Sequence, residues 1–97
     1  NLDDSADIYM VTLGNSAIDI GLKIAYDLRM MCNLNVISDM LQKNMKSQLK
    51  EANKLKAKHA IIIGENEIAN KEVIIKNMLS GNQENISFNQ IINYFKK

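Results

Sequence analysis

The sequence predicts an α/β domain built on a five-stranded mixed sheet with three helices. Three observations carry that prediction. Strand-like and helix-like patterns alternate over residues 8–64. The run His59-Ala60-Ile61-Ile62-Ile63-Gly64 has no polar alternation after His59, the mark of a strand covered on both faces by helices. After residue 71 two strand-like runs flank a turn signal, which reads as an antiparallel hairpin.

Ile8-Tyr9-Met10-Val11-Thr12-Leu13 is a β-branched and aromatic run ending at Gly14, and reads as the first strand. Asn15-Ser16 offers an N-cap, with Ser16 and Asp19 at capping-box spacing. Ile18, Leu22, Ala25 and Leu28 then recur at helical spacing, predicting a helix to about Met31. Leu34 to Ser38 reads as a second, shorter strand, and Asp39 to Lys43 as a loop. Asn44 is placed to cap a second helix, whose narrow apolar stripe is Met45, Leu49, Ala52 and Leu55. His59 to Gly64 is the third strand, joined by right-handed crossovers. Glu72 to Met78 and Gln83 to Ser87 form the hairpin across Leu79-Ser80-Gly81-Asn82. Ser87 and Gln90 are spaced as a capping box for a final helix docked by Phe88, Ile91, Ile92 and Phe95.

Ninety-seven residues allow one domain, and 46% apolar with 24% charged residues is ordinary for a folded chain. A single cysteine excludes a disulfide framework within the chain. No apolar run approaches the ~20 residues that cross a bilayer, so no membrane partner is expected. The chain opens Asn1-Leu2-Asp3-Asp4, without an initiator Met or a basic-then-apolar leader. The expectation is a domain excised from a longer polypeptide, in a reducing, cytoplasmic compartment.

The net charge of +1 hides a dipolar layout. Residues 1–27 are acidic on balance, whereas residues 43–58 hold six lysines against Glu51. A basic block of that density points to an anionic partner, although a solvated lysine face is its commoner cause. The catalytic inventory is poor. No phosphate-cradling or nucleophile-elbow string is present. His59 reads as a structural or surface histidine and Cys32 as a small packing residue. One His and one Cys cannot complete a zinc site. A phosphorelay receiver would need an aspartate where the third strand ends in Ile63-Gly64. Binding is therefore the better class than catalysis.

Ligands of open α/β sheets collect beyond the carboxyl ends of the parallel strands. Those ends are Leu13-Gly14-Asn15, Ser38-Asp39-Met40 and Gly64-Glu65-Asn66-Glu67. The second helix starts at the same edge, bringing its positive dipole end, Lys43, Lys46, Ser47 and Gln48. Carboxylates repel phosphate but accept hydrogen bonds from base amino and imino groups. The mixture suits unpaired bases on an anionic backbone. Met40 and Leu41 offer apolar contact, and no aromatic residue stands near.

The run from Asn44 to Lys54, the segment Ala57 to Glu67 with its G-E-x-E, the strand Val73-Ile74-Ile75-Lys76-Asn77 and the turn Ser80-Gly81-Asn82-Gln83 carry a resemblance. Over about residues 6–96 the chain resembles the C-terminal anticodon-binding domain of bacterial-type histidyl-tRNA synthetases. Threonyl, prolyl and glycyl enzymes share the fold and parts of the motif. The resemblance implies a three-layer α/β/α domain, residues 1–97, from the C-terminus of a longer synthetase. It implies that the domain binds the tRNA anticodon stem-loop and needs no cofactor of its own. It also implies a homodimeric parent whose catalytic domain attaches histidine to tRNA with ATP and magnesium. By resemblance Glu67 accepts from an anticodon base, Lys76 lies near the same bases, and Lys46 and Gln48 match the K-x-Q of the second helix. Glu67 is expected to be an exposed loop residue. The set of expected contacts is Ser38, Asp39, Met40, Lys43, Lys46, Ser47, Gln48, Glu65, Glu67 and Lys76. One departure is the glycine-free segment 39–43, where relatives place small residues. Two readings compete: a synthetase-like domain recruited for regulation or protein interaction, and a small-molecule-binding domain using Gly14-Asn15-Ser16.

Overall fold

The computed structural model describes residues 5–38 and 44–96. The sheet runs in the order β2-β1-β3-β4-β5. Its strands are β1 (Ile8–Thr12), β2 (Val36–Ser38), β3 (His59–Ile63), β4 (Glu72–Asn77) and β5 (Gln83–Ser87). β1 is parallel to β2 and β3, whereas β3–β4 and β4–β5 are antiparallel. The expected mixed sheet is present. β2 is shorter than expected because Leu34 and Asn35 lie before its first residue.

The alternation of side chains sorts two cores. Ile8, Met10, Ile61, Ile63, Val73 and Ile75 point to one face, against α1 (Asn15–Cys32) and α4 (Ile91–Phe95). Tyr9, Val11, Ala60 and Ile62 point to the other, against α2 (Met45–Lys54). The two crossovers run in opposite directions along the sheet, so a common hand puts α1 and α2 on opposite faces. α1 comes close to β1 at Gly21, where an added Cβ would lie 2.7 Å from the Thr12 side-chain methyl.

Among the described residues there are four α-helices rather than three. The addition is α3 (Glu65–Asn70), in the segment read as a strand-end loop. The Ile68 N–H donates to the Gly64 carbonyl at 3.0 Å, and Glu67 accepts from the Gly64 N–H at 2.7 Å. Those two bonds turn the chain at once into a helix.

Of the three caps expected, one is present and two differ. Asn44 caps α2 as expected, accepting from the Ser47 N–H at 2.8 Å. α1 starts from Gly14 at φ 103°, with no side-chain cap, so Ser16 falls inside the helix. Ser87 makes no side-chain cap either, and a 3₁₀ turn (Phe88–Gln90) precedes α4. The hairpin turn is held by Asn77, whose side chain accepts from the Leu79 and Ser80 N–H groups, with Gly81 at φ 82°. His59 is half-buried, packed edge-to-face on Phe95 at 5.4 Å, and Cys32 donates to the Ile92 carbonyl at 3.7 Å. Both are packing residues here.

Candidate nucleic-acid interface

The carboxyl ends of β1 and β3 and the start of α2 are locked together by one side chain. Leu13 N–H donates to Ile63 O at 2.9 Å, so the ladder's alternation aims the Thr12 N–H and C=O toward the β2 side. β2 ends level with Met10, two residues short of Thr12. The amide of Gln48 takes its place. Its Oε1 accepts from the Thr12 N–H at 3.1 Å, and its Nε2 donates to the Thr12 carbonyl at 2.9 Å. Gln48 is 0% exposed. A base cannot reach it, so the expectation that Gln48 reads a base edge is corrected. Its two bonds are as far as a side chain can go in imitating a neighbouring strand.

The clamp fixes where α2 begins. Asn44, Met45, Lys46 and Ser47 are exposed around the helix start, beside the end of β1. Helix α2 then runs back along the sheet, and at its far end Leu55 O accepts from the Ala6 N–H at 3.3 Å.

α3 starts on the other side of the β1 end. A Cβ on Gly64 would stand 3.7 Å from Leu13, so this turn and the β1 end are in contact. Glu65 is exposed in the first turn of α3. Glu67 is half-buried, and its Oε1 is the cap of the same helix. That corrects the picture of an exposed loop carboxylate: one oxygen is structural, and Oε2 remains for a ligand. Acidic residues there also offset the positive end of the short helix.

Ser38 is the half-buried last residue of β2, at the same end of the sheet. Asp39, Met40 and Lys43 lie outside the described residues. Lys76 does not belong to this rim. β4 runs antiparallel, and Lys76 pairs with Ala60, three residues before the end of β3 and so about 10 Å from it. It shares the α2-side face with Ile74. The β4 residue level with the rim is Glu72, which accepts from Asn85 Nδ2 at 2.7 Å. Sequence reasoning passed over Glu72; a register count along an antiparallel β4 would have found it.

The rim thus joins Lys46 and Ser47 of α2 to Glu65 and Glu67 of α3 across the ends of two parallel strands. Cations draw in a polyanion, and carboxylates accept from the polar edges of bases. The family model of the anticodon binding domain matches residues 7–97. The chain belongs to that family. It is 42% identical over 88 residues to the histidine–tRNA ligase of Pseudothermotoga lettingae, covering 91% of this chain and 20% of that protein. It is 36% identical over 91 residues to the histidine–tRNA ligase of Staphylococcus saprophyticus, covering 94% and 21%. Among solved structures, apo histidyl-tRNA synthetase of S. aureus matches with a TM-score of 0.88 at 35% identity, over 97% of this chain and 24% of that one. The chain spans about a fifth of the length of the curated relatives it matches. Among the described residues, no helix is long and apolar enough to cross a membrane.

Proposed function

We propose that this chain binds the anticodon arm of a tRNA, as the anticodon-binding module of a histidine–tRNA ligase. The observation that carries the reading is the likeness to histidyl-tRNA synthetase over 97% of the chain at 35% identity. The geometry supplies a mechanism. Lys46 contributes salt-sensitive attraction to phosphates, each neutralised phosphate adding about 0.7–0.9 to the slope of log affinity against log salt. Splayed-out bases meet Glu65 and the free oxygen of Glu67, which accept from amino and imino groups. By analogy with duplex readout, each good contact discriminates by about 1–3 kcal/mol. The parent ligase would perform aminoacylation in a separate catalytic domain with ATP and magnesium, as a cytoplasmic homodimer.

The test is a titration of the chain with the anticodon stem-loop of a histidine tRNA and with a stem-loop of scrambled anticodon. The expected result is at least tenfold tighter binding to the first. Equal affinity for both would favour a recruited module that no longer reads the triplet. Absence of salt-dependent binding to either would remove RNA as the partner.

A further inference from the structure

The lysines of α2 reach well past the rim. Lys46, Lys50 and Lys54 recur every four residues on the side of the helix opposite the buried Gln48 and Ala52. They span about 12 Å at 1.5 Å per residue. Lys56 follows in a left-handed turn at φ 58°. Among the described residues these four cations have no ion-pair partner, whereas Lys23 pairs with Asp27 at 3.1 Å and Lys58 with Asp7 at 3.7 Å. Two hollows border the row. One, of about 470 Å³, is lined by Ser47, Lys50, Glu51, Asn53 and Lys54, two cations against one carboxylate. The other, of about 500 Å³, lies at the far end of the sheet between Lys56, Lys58, Asn77 and Leu79. Asn53 lines both, so the hollows adjoin.

The other outer surfaces differ in kind. The exposed side of α1 carries Asp19 and Lys23 with Leu22, Tyr26 at 60% exposure and Met30 at 67%. The β5 edge presents Glu84. Among the described residues, the α2 side carries a row of lysines without ion-pair partners leading away from the rim, with Glu51 as the one carboxylate in the hollow beside it.

Resting on the function proposed above, we propose that this α2 ridge, from Lys46 through Lys50 and Lys54 to Lys56, carries the phosphodiester backbone of the stem while the rim holds the loop. The ridge sets the direction in which the arm leaves the domain. It contributes affinity without sequence preference, because phosphates carry no base information.

The test combines Lys54→Gln with Lys56→Asn, since Asn tolerates the left-handed backbone at position 56. Circular dichroism melting checks that the variant is folded. Binding of the cognate and scrambled stem-loops is then measured across a salt series. The expected result is severalfold weaker binding of both RNAs by the same factor, with the salt slope reduced by about 1.4–1.8 for two lost phosphates. Unchanged affinity and slope in a variant that still prefers the cognate loop would overturn the ridge and leave the rim reading intact. A loss confined to one loop would contradict a backbone role. Failure of the unsubstituted chain to bind either RNA would overturn the rim reading and the ridge with it.

Discussion

Gln48 holds the two ends of the site together through bonds to both backbone groups of a single residue, Thr12. Replacing it by Met keeps the volume but leaves a buried N–H and C=O unpaired. Gln48→Met should cost about 2–4 kcal/mol, read as a lower urea midpoint. An unchanged midpoint would show that the clamp is dispensable. The spacing of Gln48 to Met45 and Ala52 puts it on the apolar stripe of α2, apart from Ser47 and Lys46, but says nothing of what it bonds. Its partner lies 36 residues away, and only the early end of β2 creates the vacancy it fills. Glu67 has two duties, and its variants separate them. Glu67→Ala removes the cap on Gly64 and should cost about 1 kcal/mol. Thermal unfolding should show this as a drop of about 4–8 °C. Glu67→Gln keeps a neutral acceptor for the cap and should recover most of that drop. Equal melting of the two variants and the unsubstituted chain would mean that the 2.7 Å bond contributes nothing.

Between elements, the closest approach is that of α1 to β1. Gly21→Ala would place a methyl 2.7 Å from the Thr12 Cγ2, an overpacking cost of about 1–3 kcal/mol. Thr12→Ser removes that methyl, so the double variant should regain most of the loss in a denaturation cycle. Strict additivity would contradict the contact. At the β5–α4 junction the Tyr94 hydroxyl donates to Glu84 at 2.8 Å. That bond, then burial and the Glu84 charge, raise the Tyr94 hydroxyl above its usual 10.0. A folded value above the unfolded one means the contribution is whole below about pH 10 and is lost as pH rises through the folded value. Tyr94→Phe should therefore lower the melting temperature near neutrality and shrink the further drop above pH 10. Parallel alkaline curves for the two proteins would refute the bond. β1 and β3 are legible in the sequence because short, β-branched apolar runs end in glycine, whereas β5, with one apolar residue, is legible only through the Ser80-Gly81 turn that pairs it with β4. α3 is not, because its six residues are too few to develop a helical period. The start of α1 escapes for a different reason: Gly14 at φ 103° admits the chain to the helix without any side-chain cap.

At the scale of the molecule, the sheet puts α2 on one face and α1 with α4 on the other, and gathers the starts of α2 and α3 at one end. That gathering follows from strand direction, so the position of the rim is legible from the topology alone. Lys76 escapes the same logic because β4 runs the opposite way, and its place depends on a register that only pairing with β3 defines. The central claim is that anticodon bases meet the protein where α2 and α3 begin. Amide-resolved NMR titration of the ¹⁵N-labelled chain with a histidine-tRNA anticodon stem-loop tests it most directly. The account predicts that the largest shifts fall on residues 44–47 and 64–68, with smaller ones along the exposed side of α2. Shifts concentrated on Leu22, Tyr26 and Met30 of α1, with the amides of Lys46 and Glu65 unmoved, would contradict it.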